Sequence, residues 1–291
     1  MEFEGAMMIK IILRIVFMVC AMALSSQSVV AAPPPVYSFG VVPLRSAVLT
    51  AEFWNPILDF VSKEAGVRLE LRIDRSVHES ALALERGEHD FAYSYLMFRP
   101  KALVQGYQVI ARPKNGEIRS QIVVLADSPI QKLEELAGRA IAFPSRSGFV
   151  AYALPMDHLL RQGVQVKAEF SGNQEGALAQ LKVGRVAAAS ATSHLIRAYA
   201  AREGLSYRVL WESVAFHDLP IAAHPRVNQD VVKRVQSAFV SMAVNPEGQK
   251  TQEKAARSIV QKSLPVFVKS TTTDYQMFSE FYQETLVKDL E

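Results

Sequence analysis

The sequence predicts an α/β protein of two similarly built lobes, and three observations carry that prediction. Short apolar segments alternate with segments whose apolar residues recur at helical spacing, the rhythm of a parallel or mixed sheet. That rhythm starts afresh after residue 126. The junction Leu84-Glu85-Arg86-Gly87-Glu88-His89-Asp90-Phe91-Ala92 joins a helix end, a capping glycine and a strand start, and Leu181-Lys182-Val183-Gly184-Arg185-Val186-Ala187-Ala188-Ala189 repeats the arrangement. Helix-glycine-strand junctions are common, so chance stands beside duplication as the reason for the match.

In the first block, Val36 to Val42 reads as a buried strand closed by the turn Pro43-Leu44-Arg45-Ser46. Glu52 to Ala65 places Phe53, Trp54, Ile57, Leu58 and Val61 on one helical face, and Gly66 stops it. A strand over Arg68 to Ile73, a helix over Ser76 to Arg86, and strands over Phe91 to Tyr95 and Ile118 to Ala126 follow. The second block predicts a helix over Ile130 to Ala137, a strand over Arg139 to Phe143, a helix over Gly148 to Gln162, a strand over Gln165 to Phe170, a helix over Gln174 to Val183 and a strand over Val186 to Ser190. Beyond Asn228 the pattern is helical, over Asn228 to Val244, Gln249 to Ser263 and Thr273 to Leu290.

The first 32 residues read as a secretory signal peptide, with Lys10 and Arg14 as the positive region, Ile11 to Leu24 as the apolar core and Val30-Ala31-Ala32 as the cleavage site. A membrane anchor is the competing reading, but Arg14 interrupts the apolar stretch and Ser25-Ser26-Gln27-Ser28 ends it short of the ~20 residues a spanning helix needs. The residues before Cys20 are Phe17-Met18-Val19, which lack the small residue of a lipid-attachment site. A mature chain beginning near Pro33 in the periplasm is expected. It would contain no cysteine, so disulfides and thiol chemistry play no part in it. Lys and Arg number 32 against 29 Asp and Glu, evenly mixed, which argues against a nucleic-acid partner.

The turn Pro144-Ser145-Arg146-Ser147-Gly148 is the richest in chemistry, because it lies where a strand gives way to a helix. Unpaired N–H groups, two hydroxyls, a guanidinium and the positive end of a helix dipole converge there, a setting for a bound anion. An ordinary serine cap with a glycine for tight packing is the competing reading. In open α/β sheets ligands bind outside the carboxyl ends of strands, and three further loops there carry ligand-type groups: Arg45-Ser46, Tyr93-Ser94-Tyr95 and Asn173-Gln174. The tyrosines read equally well as packed strand aromatics.

No Gly-x-x-x-x-Gly-Lys run is present, so the chain has no phosphate loop for ATP hydrolysis. The six histidines show neither His-Glu-x-x-His nor clustering, so no metal or other cofactor is expected and most are read as surface groups. Asp157-His158 invites a catalytic relay with Ser145 or Ser147. Adjacent helical residues diverge by about 100° and do not face each other, which sets hydrolase chemistry aside. Pro155 is unusual inside a helix, where proline costs ~3 kcal/mol.

From Tyr37 to about Ser263 the chain resembles the substrate-binding proteins of phosphate, phosphite and phosphonate ABC transporters. The matching pieces are Phe39-Gly40-Val41-Val42-Pro43, Trp54-Asn55-Pro56, the Gly87-Glu88-His89-Asp90-Phe91-Ala92-Tyr93 strand entry, the Ser145-Arg146-Ser147-Gly148 turn with Pro155 after it, Asn173-Gln174-Glu175 and Leu219-Pro220-Ile221. The resemblance implies a two-lobed type II periplasmic binding protein, each lobe a mixed sheet flanked by helices, with ligand in the cleft between them and two crossovers as hinge. It divides the chain into residues 33–120 with 222–291 as one lobe and 121–221 as the other. It puts an oxyanion on Ser145, Arg146 and Ser147, with Tyr93 or Ser94 covering it from the opposite lobe. Gln174 stands where many members carry His, and Ser193 and Leu219 stand where members that take aminoalkyl phosphonates carry acids, although a slip of one residue would bring in Asp218.

The expected function is capture of a small phosphorus oxyanion, without enzymatic activity, by a monomer that delivers it to the membrane permease of an ABC importer. The competing role is that of a ligand-sensing partner of a membrane receptor kinase, and a secreted hydrolase ranks third.

Overall fold

Apolar strands collect into two sheets, each fed from distant parts of the chain. The computed structural model describes residues 33–114, 117–260 and 264–290, and the expected signal peptide lies outside them. From residue 35 onward the chain is a single unit. The first sheet has the order β13 (Phe267–Lys269), β4 (Gln108–Pro113), β12 (Ile221–Ala223), β3 (Phe91–Tyr93), β1 (Val36–Val41), β2 (Arg68–Ile73). Its β1 is parallel to β2 and β3, while β12 is antiparallel to β3 and β4. The second has the order β10 (Tyr207–Glu212), β6 (Ser120–Leu125), β9 (Ala188–Thr192), β7 (Ala140–Phe143), β8 (Lys167–Phe170). Here β7 is parallel to β8 and β9, and β6 is antiparallel to β9 and β10. Both sheets are mixed and both carry helices, so the molecule has two α/β lobes.

The chain passes between the lobes before β6 and after β10. These passages are bonded to one another as a short antiparallel ribbon of β5 (Glu117–Ile118) and β11 (Phe216–His217), with Ile118 opposite Phe216.

Strand alternation decides which layer each residue enters. Ile122 and Val124 join one core while Val123 joins another, and Ile141 and Phe143 are divided from Ala142 in the same way. Under the first sheet, Trp54, Ile57, Leu58 and Val61 of α1 (Ala47–Ala65) pack on Phe39, Phe239 and Phe267. Ser46 starts α1 by accepting from the Leu49 N–H, and Gly66, at φ 64°, ends it in the left-handed conformation. A third cluster bridges the lobes. Phe149 of the second lobe lies 4.3 Å from Phe278 and 6.0 Å from Tyr95 between ring centroids. Full burial of such side chains stabilises by roughly 1.5–3 kcal/mol each.

Several expected elements take another form. Ile130 to Ala137 yields only a 3₁₀ turn, Leu133–Leu136, because Ile130, Leu133 and Leu136 recur every third residue, the repeat of a 3₁₀ turn. The helix expected from Gly148 to Gln162 is a π-helical turn, Phe149–Ala153, followed by α4 (Leu154–Arg161). Pro155 thus falls in the first turn of α4, where a missing N–H costs little. Strands β4, β10, β12 and β13 and the helix α6 (Ser193–Glu203) are additional to those expected.

The C-terminal helix expected to Leu290 stops at Glu284, as α9 (Gln276–Glu284). Beyond it the chain crosses to the second lobe. Leu286 N–H and Thr285 Oγ1 donate to Asp157 Oδ1 at 2.7 and 3.0 Å, and Val287 enters the core around Ile122 and Leu159. This end segment therefore departs from the expected grouping of residues 222–291 in one lobe.

Candidate functional site

Strand ends from both lobes meet face to face. The Ser46 N–H, at the start of α1, donates to Glu175 Oε2 of the second lobe over 3.4 Å. The Val77 N–H, at the start of α2 (Val77–Glu85), donates to the Gly172 carbonyl over 3.3 Å. His78 Nδ1 lies 3.5 Å from Ser147 Oγ. These contacts hold the lobes together around a cleft.

In the anion turn, Ser145 and Ser147 are brought together and buried. Ser145 Oγ accepts from the Ser147 N–H at 3.1 Å, and its carbonyl accepts from the Gly148 N–H. Ser147 is 2% exposed and faces α2 of the other lobe. Arg146 takes another direction. Its Nε donates to Asp289 Oδ2 at 2.9 Å, its guanidinium carbon sits 4.7 Å from the Phe170 ring centroid, and the side chain is half-exposed. The structure thus separates Arg146 from the two serines with which the sequence grouped it.

Gln174 opens α5 (Gln174–Lys182), and its Oε1 accepts from the Thr192 N–H at 2.8 Å and from Thr192 Oγ1 at 3.1 Å. Its carbonyl end is thereby committed to joining α5 to the end of β9. Ser193, also buried, begins α6 and donates its N–H to the Arg119 carbonyl at 2.8 Å. Ser94 shapes its own loop, accepting from the Leu96 N–H at 3.0 Å and donating its N–H to the Pro220 carbonyl. Of the pair expected to face the turn from the first lobe, Tyr93 is the one with cleft chemistry. Its ring packs 4.7 Å from that of Trp54, and its hydroxyl lies in the field of the Asp218 carboxylate. Burial, and after it the Asp218 charge, pushes the phenol well above its ordinary pKa, so it remains a donor.

Asp218, which the resemblance brought in only by a slip of one residue, and Arg45, named only within a strand-end loop, bring opposite charges to the cleft. Leu219, aligned with an acid in the resemblance, is buried in the core, and the preceding residue supplies the carboxylate. Asp218 Oδ1 accepts from the Leu219 N–H at 2.7 Å. Arg45 lies in the field of Glu175, Tyr93 and Asp218. Burial lowers its pKa and these three oppose the shift, but a guanidinium stays charged throughout the physiological range. His194 shares this neighbourhood, and burial holds its imidazole below its ordinary pKa while Asp218 pulls the other way. None of the six histidines is freely exposed, against the surface role read from sequence. The alternation of helix and strand does not report such convergence, so only the concentration of polar residues at strand ends pointed to it.

Asp157 and His158 diverge as their helical spacing requires. Asp157 holds the chain end, whereas the His158 ring stacks 4.7 Å from Trp211. Among the described residues, no group of three or more His, Cys, Asp or Glu is arranged to hold a metal ion.

Two mixed sheets, paired crossings and polar strand ends converging between the lobes define a type II periplasmic binding protein. Over residues 39–263 the chain matches the family of ABC transporter, phosphonate, periplasmic substrate-binding proteins, and it belongs to that family. Its role is that of a solute-binding transport component. The fold is similar to that of a binding protein component of an ABC phosphonate transporter from Pseudomonas aeruginosa, at 15% identity over 86% of this chain and 87% of that one, with a TM-score of 0.73. PhnD1 from Prochlorococcus marinus, in complex with methylphosphonate, is similar at 15% identity over 86% of this chain and 98% of that one, with a TM-score of 0.71. A Xanthomonas citri protein bound to chloride ion is similar at 16% identity, over 85% of this chain and 96% of that one, with a TM-score of 0.66. The family favours transport over the sensor-kinase role.

Proposed function

We propose that this chain, exported by its N-terminal signal peptide, captures a small phosphorus oxyanion (phosphate, phosphite or a short phosphonate) and delivers it to the permease of an ABC importer. The observation that carries this reading is the buried Ser145–Ser147 pair at a strand end, facing α2 of the opposite lobe. On this reading the two serine hydroxyls, the Tyr93 hydroxyl and the Gln174 amide are the neutral donors that would replace the hydration shell of an oxyanion. Hydrogen bonds to a charged group contribute about 1.5–3 kcal/mol each, so three or four suffice for micromolar affinity after the cost of ordering. Lobe closure on the ligand is what a permease would distinguish. The methylphosphonate in the Prochlorococcus marinus complex is consistent with this ligand class.

A thermal-shift and calorimetric screen against phosphate, phosphite, methylphosphonate and sulfate tests the reading, since a ligand that binds only the folded state raises the melting temperature. Micromolar binding of a phosphorus oxyanion is expected, and sulfate binding alone would overturn the assignment.

A further inference from the structure

Arg45 is a cleft residue whose state the function above leaves unexplained. It follows β1, lines a small cavity together with Trp54 and Tyr93, and its Nε is shut off from solvent with no hydrogen-bond partner. Among the described residues no ion pair joins it to the acids that surround it. Buried guanidinium groups are ordinarily bonded on their inner face, so a donor kept unpartnered beside a ligand cleft is placed for a group that arrives.

The neighbouring charges narrow what that group is. Glu175 is already matched, since Arg202 donates to its Oε1 at 2.9 Å and the Ser46 N–H to its Oε2. Asp218 is the remaining acid in the field of Arg45, and Tyr93 lies in the field of both. The two opposite charges come from different segments of the chain. A ligand ammonium drawn to Asp218 would enter the field of a fixed cation, and such built-in repulsion is how a site refuses a related compound.

We propose that Arg45 is a specificity-determining residue, a built-in cation that occupies the electrostatic place of a ligand amine beside Asp218 and turns its free Nε–H to the oxyanion, so that the cleft selects phosphonates without an amine. The proposal rests on the phosphorus-oxyanion reading of the cleft and adds which members of that class are accepted.

Calorimetry of the full mature chain with methylphosphonate and with 2-aminoethylphosphonate tests it. The wild type is expected to bind methylphosphonate at least tenfold more tightly. Arg45→Met should shift the ratio of the two dissociation constants at least tenfold toward the amine, and Arg45→Lys, which keeps the charge, should restore the preference. Asp218→Asn, in which Arg45 is left without its counter-charge, should widen the wild-type ratio and serves as the test if Arg45→Met does not fold. If the wild type binds methylphosphonate but prefers the amine, or if the ratio is unmoved in a folded Arg45→Met protein or in Asp218→Asn, the inference is overturned and the function stands. If the wild type binds no phosphate, phosphite or phosphonate, the functional reading falls and takes this inference with it.

Discussion

Arg146 and Asp289 form an ion pair at 2.9 Å, and the Tyr152 hydroxyl donates to the same carboxylate at 2.8 Å. The guanidinium of the anion turn is therefore engaged with the end of the chain, while the serines on either side of it are buried at the cleft.

Ligand affinity should divide these neighbours. Ser147→Ala is expected to weaken methylphosphonate binding tenfold or more, since one bond to a charged group contributes about 1.5–3 kcal/mol and 1.4 kcal/mol is tenfold. Arg146→Ala should change it by no more than about threefold, as suits a half-exposed ion pair to Asp289. Isothermal titration calorimetry measures both, and equal losses in the two variants would put the guanidinium in the cleft.

Asp157 fastens the segment after α9 to the second lobe. Burial alone would raise its pKa, but hydrogen bonds from Arg161, the Leu286 N–H and Thr285 more than offset this and hold the carboxyl below its ordinary range. Asp157→Ala is expected to lower stability by about 2–3 kcal/mol, a fall of roughly 4–10 °C in melting temperature for a chain of this size. Asp157→Asn, which still accepts from Leu286 and Thr285, should lose less. A melting temperature unchanged in the alanine variant would mean that the segment contributes nothing to stability.

Pro155 sits in the first turn of α4, so its replacement should matter little. Pro155→Ala is expected to alter stability by less than about 1 kcal/mol, mainly through the unfolded chain. A gain near the ~3 kcal/mol typical of relieving an interior proline would contradict the division into π-helical turn and α-helix. Denaturant titration at matched slope resolves the two outcomes.

His194 gives the ligand-free protein a dependence on pH. Because burial lowers its folded-state pKa, the unfolded chain takes up the proton first as pH falls below ~6.5. Its contribution is complete above that pH and is lost as pH drops through the lower folded-state value. His158 and His224, also lowered by burial, act in the same direction. The melting temperature is expected to be lower at pH 5 than at pH 7.5, and His194→Asn should reduce the difference. An identical difference in the variant would show that His194 is not a contributor.

The sequence was most legible where burial on both faces makes a segment continuously apolar, as in β6 and β7, and where Gly66 and Gly87 punctuate helix and strand. It was least legible where an element exists only through its partners. β12 is three residues, two of them alanine, and it is a strand because β3 and β4 flank it. At the site, the Ser145–Ser147 pair could be read from its place between strand and helix. Leu219 and Asp218 stayed alternatives, because a shift of one residue reverses which face a side chain takes and nothing local fixes that register. Arg45 and Asp218 come from segments far apart in sequence, so their influence on one another is not written in either segment.

On the proposed function, ligand strength is expected to respond to changes outside the cleft. The two passages are bonded at Ile118 and Phe216, and the Phe216 ring lies 5.7 Å from Phe149, so a change at Phe216 is expected to bias any balance between parted and joined lobes. An apparent dissociation constant is the intrinsic one divided by the fraction of molecules able to hold the ligand. Substitution at Phe216 therefore rescales the affinity for every ligand by the same factor and leaves their ranking intact. Changes at this ribbon are therefore expected to tune how tightly the solute is held, and changes in the cleft to decide which solute it is.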